Sequence, residues 1–142
     1  IDVGRINVAA QSVGMAEGAF ERALKYAKQR EQFGRRLVDF QIIQHKLADM
    51  ALDIESARLL VHKAAWYVDQ GQIIPKLACM AKTMATTNAI RVISEAMQIF
   101  GGYGYLADYD IERYYRDIRV STIYEGTTEI QKNVVARIII GE

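Results

Sequence analysis

The sequence predicts an all-α fold, an up-and-down four-helix bundle with a short extra helix, and three observations carry that prediction. Pro75 is the only proline among 142 residues. The glycines gather near residues 101–104 instead of punctuating many short turns. Apolar side chains recur at three- and four-residue steps over long stretches, the period of a helix with one buried face. No strand-type alternation competes, no internal repeat is visible and no segment is low in complexity.

The first helix is expected from about Gly4 to about Arg30, with Val13, Ala16, Phe20, Leu24 and Ala27 on its buried face. Glu21 and Lys25 stand in the favourable i,i+4 order on the wet face. Gln32-Phe33-Gly34 then breaks the pattern. A second helix, roughly Ile42 to Gln70, carries Ile43, Leu47, Met50, Ile54, Ala57, Val61, Ala64 and Val68, and Gly71 supplies its stop. The third opens at Pro75, a residue tolerated in a first helical turn, and runs to about Phe100. Its alanines, methionines and threonines suit close helix contacts, and it is apolar on more than one side. A short helix is expected over Ala107 to Arg116, with Arg113 and Asp117, four apart, bracing each other. The last helix covers about Thr128 to Ile140. Thr128 and Gln131 stand three apart, as in a capping box, which leaves Thr127 or Thr128 as its start. Helices of about 27 residues are about 40 Å long, and several such rods with short connections imply a bundle.

Composition excludes several function classes. Apolar residues make up 51% and charged residues 25%, an ordinary soluble balance, and the length fits one domain with a real core. A net charge of +1 gives no electrostatic case for nucleic acid or an anionic membrane. No apolar run is long enough to span a bilayer. Cys79 is the single cysteine, so neither a disulfide framework nor a thiolate cluster is available. His45 and His62 lack a glutamate three residues earlier (Ile42 and Leu59 stand there), so the Glu-x-x-His pattern of di-iron bundles is missing and no metal site is expected. Trp66, Met80, Met84 and Met97 are expected to pack, and Cys79 to act as a small buried hydrophobe. The chain begins at Ile1, and the expectation is a piece of a longer polypeptide whose targeting signal lies elsewhere.

The run Ile123-Tyr124-Glu125-Gly126-Thr127-Thr128-Glu129-Ile130-Gln131 is the most informative. It sets a carboxylate immediately before a glycine, on a turn beside a helix N-terminus where backbone donors and a positive dipole end gather. Gly126 has no side chain to keep a ligand from that backbone. Upstream lies Gln98-Ile99-Phe100-Gly101-Gly102-Tyr103-Gly104-Tyr105, followed by Asp108, Arg113 and Asp117. Together these segments resemble the C-terminal helical-bundle domain of acyl-CoA dehydrogenases, over nearly all 142 residues. The resemblance implies a chain in which residues 1–142 follow an N-terminal helical domain and a central β domain. It implies FAD as cofactor and oxidation of acyl-CoA thioesters to trans-2-enoyl-CoA.

Glu125 is then the expected catalytic base, because short- and medium-chain members carry their catalytic glutamate in the same Tyr-Glu-Gly-Thr run. It would take the pro-R α-proton while the β-hydrogen leaves as hydride to the flavin. A thioester α-proton is only weakly acidic, so the base must be held close and partly desolvated, and Ile123 and Tyr124 are expected to give it apolar cover. Other members place the base on the first helix, one residue before an arginine matching Arg5. That position here is Gly4, so one candidate position is filled and the other empty.

FAD carries a pyrophosphate, which is met by arginine or by exposed backbone N–H groups. Arg30-Glu31-Gln32-Phe33-Gly34 matches the family's Arg-x-x-Phe-Gly element and makes Arg30 and Phe33 cofactor contacts. Gln41 matches a further one. Gln98, Ile99, Phe100, Gly101 and Gly102 are similar to the segment that touches the ADP half of FAD, and Thr127, Thr128 and Glu129 to another cofactor-binding run. In this family the Arg30-like and Gln98-like elements reach the FAD of a neighbouring subunit, which implies a homotetramer or homodimer. Asp2, Val3, Gly4 and Arg5, with Gly126, resemble the substrate-contacting residues; the plainer alternative is Asp2 as a helix cap and Arg5 as a solvated charge. An electron-transferring flavoprotein is the expected oxidant. An acyl-CoA oxidase using dioxygen and a non-catalytic helical assembly module are the alternatives. The piece alone is expected to be inactive. The expected compartment is cytoplasmic in a bacterium and the mitochondrial matrix in a eukaryote. Acyl chain length and branching are not legible.

Overall fold

In the computed structural model, which describes residues 1–141, helix α1 (Asp2–Gln29) leads through a two-residue β-ribbon, β1 (Glu31–Gln32) and β2 (Arg35–Arg36), into α2 (Gln41–Asp69). Helix α3 (Pro75–Phe100) follows. Short 3₁₀ turns then bring the chain to α4 (Ile111–Arg119) and α5 (Thr128–Ile140). Helices α1 and α3 run in the same direction. Arg5, near the start of α1, meets Cys79 near the start of α3, and Tyr26, near its end, stacks on Phe100 at 4.3 Å. Helix α2 runs the opposite way, so that Arg91 grips Asp53 and Lys46 grips Glu95. Helix α3 is the centre: α1, α2, α4 and α5 all pack against it.

The seam between α1 and α3 is built from alanines. Ala9, Ala16, Ala19, Ala23 and Ala27 face Ala78, Ala81, Ala85, Ala89 and Ala96, and every one is at most 2% exposed. Small side chains let two axes approach closely, which fixes the relative position of the two helices to within a methyl group. Larger apolar side chains fill the α2 side, where Met50, Ile54 and Val61 are buried; each contributes roughly 1.5–3 kcal/mol by leaving water. The sequence places Phe20 and Leu24 on the buried face, but both are only half-buried and flank Ala19 and Ala23. The seam selects for small volume rather than hydrophobicity.

Several expectations need correction. Helix α1 begins at Asp2, two residues early, and α2 spans Gln41–Asp69 rather than Ile42–Gln70. The ribbon after α1 is unforeseen. Phe33 and Gly34 both have positive φ (52° and 77°), the geometry that turns two adjacent strands tightly. Instead of a helix over 107–116 there is a 3₁₀ turn at Ala107–Tyr109, a left-handed Asp110 (φ 65°) and then α4. Arg113 consequently pairs with Asp110 at 2.8 Å, not with Asp117. Trp66, Met80 and Met84 are exposed on this chain, as are His45 and His62. Among the described residues no helix is long and apolar enough to cross a membrane. No group of three or more His, Cys, Asp or Glu among them is placed to hold a metal ion.

Candidate active site

The turn that carries Glu125 lies against the starts of α1 and α3. Glu125 adopts a left-handed backbone (φ 54°) and Gly126 follows at φ 91°. That conformation costs a glutamate about 1–2 kcal/mol, so the surroundings must hold it. They do so through the carbonyls. Lys82 Nζ donates to Tyr124 O at 2.7 Å and to Gly126 O at 2.5 Å. Gln131 Nε2 donates to Glu125 O at 3.2 Å and to Gly126 O at 3.1 Å. Both side chains are buried. The Tyr124 hydroxyl reaches across to α1 and donates to Gln11 Oε1 at 3.0 Å. Gly126 is confined as well, since a Cβ there would lie 2.6 Å from Gln131 Nε2.

The Glu125 carboxylate lies over the first turn of α1. A Cβ built on Gly4 would sit 2.8 Å from Glu125 Oε2 and 3.2 Å from its Cδ, closer than carbon and oxygen tolerate, so any side chain at residue 4 would compete for that space. Arg5, next along α1, has only 12% of its side chain exposed. It donates to Asp2 Oδ1 at 2.7 Å and to Cys79 Sγ at 3.4 Å. Asp2 therefore lies within the first helical turn as the partner of Arg5, not as a cap, and Arg5 is not a solvated charge. Burial pushes the Cys79 thiol up. Burial also pushes the Lys82 ammonium below the usual lysine range; nearby Arg5 acts in the same direction and Glu125 opposes it. Arg5 Nε and Gln131 Oε1 are buried without a protein partner among the described residues, so this corner keeps hydrogen-bonding capacity for a further polar group.

Two local expectations fail here. Glu125 is exposed on this chain. Ile123 and Tyr124 are 52% and 37% exposed, so they give it no apolar cover. The capping box over Thr128 and Gln131 is replaced by Thr127, which caps α5 by accepting from Ile130 N at 3.4 Å. Gln131 faces the core instead. Thr128 begins the helix, and the Glu129 carboxyl is held below its ordinary range by hydrogen bonds from its own backbone amide and the Thr127 hydroxyl.

A second group of candidate residues lies at the far end of α1. Arg30, Ile99, Phe100, Gly101 and Gly102 line one depression of about 390 Å³. The Arg30 guanidinium lies over the Tyr103 ring, 5.4 Å from its centre, and Tyr26, stacked on Phe100, forms its floor. A Cβ on Gly101 or Gly102 would meet no atom within 4 Å, so that backbone is open to a ligand. Gln98 is exposed beside this shelf. Phe33 is 92% exposed at the tip of the ribbon, against Phe40 at 6.5 Å, and Gln41 is exposed at the start of α2. Gly4 and Arg30 are separated by about 40 Å along α1 at 1.5 Å per residue. The structure thus brings together Gly4 and Arg5, with Asp2 paired to Arg5, and Glu125 and Gly126 at one end, and Arg30 with Ile99 to Gly102 at the other. It does not bring the two sets together.

Lys82 and Gln131 hold the turn that carries Glu125; the sequence reading names Gln131 only for helix capping and does not single out Lys82. The signal for Lys82 was present. It is a lysine on the stripe Ala78, Ala81, Ala85, Ala89, where a charge is out of place.

A family profile described as "Acyl-CoA dehydrogenase, C-terminal domain" matches residues 1–140. The chain is 53% identical over 136 residues to a 3-(aryl)acrylate reductase of Clostridium sporogenes, covering 96% of this chain and 36% of that protein. It is 49% identical over 140 residues to the caffeyl-CoA reductase-Etf complex subunit CarC of Acetobacterium woodii, covering 99% and 37%. Among solved structures, butyryl-CoA dehydrogenase from Megasphaera elsdenii superposes with a TM-score of 0.96 at 49% identity, over 98% of this chain and 36% of that one. The chain therefore spans little more than a third of the length of these relatives.

Proposed function

The chain belongs to the acyl-CoA dehydrogenase family, flavoprotein oxidoreductases, by its C-terminal helical domain, and on that premise we propose that Glu125 is the base that takes the α-proton of an acyl-CoA thioester. The proposal includes a longer FAD-dependent enzyme in which residues 1–142 form the C-terminal part. One observation carries it: the Glu125 carboxylate occupies the space above the bare Cα of Gly4. The turn position is filled, the helix position facing it is empty, and the two are alternatives for the same space.

Residues of this chain fit FAD on two surfaces. Arg30, beside the open Gly101–Gly102 backbone, suits a pyrophosphate. Thr127, Thr128 and Glu129 present a helix N-terminus at the Glu125 end. When bound, FAD supplies the hydride acceptor for the β-carbon. The chain's own contribution is to hold the Glu125 carboxylate at the α-carbon and to keep Arg5 and Gly126 beside the thioester. Since Glu125 is exposed here, the desolvation a base requires comes from whatever covers this end in the assembled enzyme. The separation of the two surfaces, about 40 Å along α1, exceeds what one dinucleotide spans. That supports the reading that Arg30 and Gln98 to Gly102 serve the FAD of a neighbouring subunit in a homo-oligomer.

The names of the reductase relatives favour a second, reductive reading of the same site, in which Glu125, protonated, would return a proton to the α-carbon of an enoyl thioester while the hydride for its β-carbon would come from reduced FAD. An electron-transferring flavoprotein serves either direction, and the CarC relative is named as part of such a complex. The test is an anaerobic titration of the full-length protein with a ladder of acyl-CoA thioesters and, after reduction, of their 2-enoyl counterparts. The proposal expects flavin bleaching by the former or reoxidation by the latter. A flavin spectrum indifferent to every thioester of both series refutes it.

A further inference from the structure

We propose that Lys82, with Gln131, is the positioning clamp that aims Glu125, an inference that rests on Glu125 being the base. Lys82 is 1% exposed on the apolar stripe of α3, and its two hydrogen bonds go to backbone carbonyls rather than to a carboxylate. Burying an ammonium costs more than burying an apolar chain of the same length. A methionine would fill the volume without that cost, so packing does not account for a lysine here.

What the ammonium provides is geometry. Tyr124 O and Gly126 O bracket Glu125, and Lys82 holds both. Glu125 O itself goes to Gln131. The carbonyls of residues 124, 125 and 126 are therefore all captured by two side chains anchored in different helices, α3 and α5. This immobilises the peptide planes on either side of Glu125 and leaves only its side-chain torsions free. An ammonium suits the task because its three donors can serve divergent acceptors. The bare Cα of Gly4 leaves the carboxylate room above α1, since a Cβ there would lie 2.8 Å from Glu125 Oε2. Lys82 and Gln131 are both buried, and the clamp acts through Glu125.

The experiment compares Lys82→Met, Gln131→Met and Glu125→Gln in the full-length holoenzyme. Misplacing a catalytic group by about 1 Å costs about 100-fold, so Lys82→Met is expected to lower kcat by about 30- to 100-fold and Gln131→Met by about fivefold to tenfold. FAD content and KM for the thioester should stay close to wild type, which a general structural defect would not spare. Lys82→Met introduced into Glu125→Gln should cost no further turnover. Wild-type kcat in Lys82→Met overturns the clamp, as does a loss carried by KM or FAD content, or one repeated in full on the Glu125→Gln background. Should Lys82→Met fail to fold, Gln131→Met decides, and its wild-type kcat overturns the proposal. Near-normal turnover in Glu125→Gln instead sinks the base assignment, and the clamp falls with it.

Discussion

At one end of the α1–α3 pair, Lys82 and Gln131 capture the carbonyls of Tyr124, Glu125 and Gly126, and the carboxylate of Glu125 lies over the bare Cα of Gly4. At the other end, Arg30 and the Gly101–Gly102 backbone form an open shelf floored by stacked aromatics. The same two helices frame both. The first end contains everything needed to fix one side chain, including a strained backbone and a buried cation. The second contains donors and space but nothing that fills the space. A site whose task is to position an atom to within tenths of an ångström has to be over-determined by its own fold. A surface that receives a large ligand needs to be open until the ligand arrives.

If the closed end positions a base, Glu125→Gln in the full-length enzyme should lower turnover by about three orders of magnitude or more, since general base catalysis contributes about 100- to 10,000-fold. FAD content should be unchanged. Turnover within a few fold of wild type would erase the functional distinction between the ends. Gly4→Ala probes the same end more gently. Its Cβ would lie 2.8 Å from Glu125 Oε2, so kcat should fall about tenfold to 100-fold through displacement of the carboxylate, and a silent substitution would show that the carboxylate has room to spare. At the open end, Arg30→Ala should weaken FAD retention about tenfold, the scale of one charge-assisted hydrogen bond, and KM for the thioester should not follow. Equal flavin occupancy after dialysis would remove Arg30 from the cofactor.

The smallest effect is on alkaline stability. Lys82 has its ammonium pushed below the ordinary value of 10.5 by burial. Between the folded value and 10.5 the unfolded chain holds the extra proton, so wild-type stability gains from this residue as pH rises through that window. The penalty of the buried charge is full below the window and gone above it. Chemical denaturation across alkaline pH should show this gain in the wild type relative to Lys82→Met. Parallel pH profiles would mean that the charge on Lys82 carries no folding cost.

Much of this was legible beforehand because it depends on local rules. Helix period, the proline at Pro75 and the threonine at the start of α5 are written in short windows. The turn glutamate and its glycine were legible as a motif. Three things were not. The buried face of α1 is centred on Ala19 and Ala23, because the seam with α3 selects for small volume; a scan that weights Phe20 and Leu24 for hydrophobicity lands one position away. The capping of α5 shifted by one residue because Gln131 was drawn into the core by carbonyls six and five residues upstream. Lys82 could not be linked to Glu125 from sequence, since 42 and 44 residues separate it from the carbonyls it holds. Only tertiary packing supplies such a link. The exposure of Glu125 is not legible for the converse reason. Its flanking apolar residues face outward on this chain.

The central claim is that Glu125 removes an α-proton, and solvent exchange reads that step apart from oxidation. Tert-butylacetyl-CoA has α-hydrogens but none on its β-carbon, so it cannot be dehydrogenated. Incubated in heavy water with the full-length holoenzyme, it should gain deuterium at the α-carbon with wild type and only at the buffer rate with Glu125→Gln. Equal exchange by the two proteins would contradict the account.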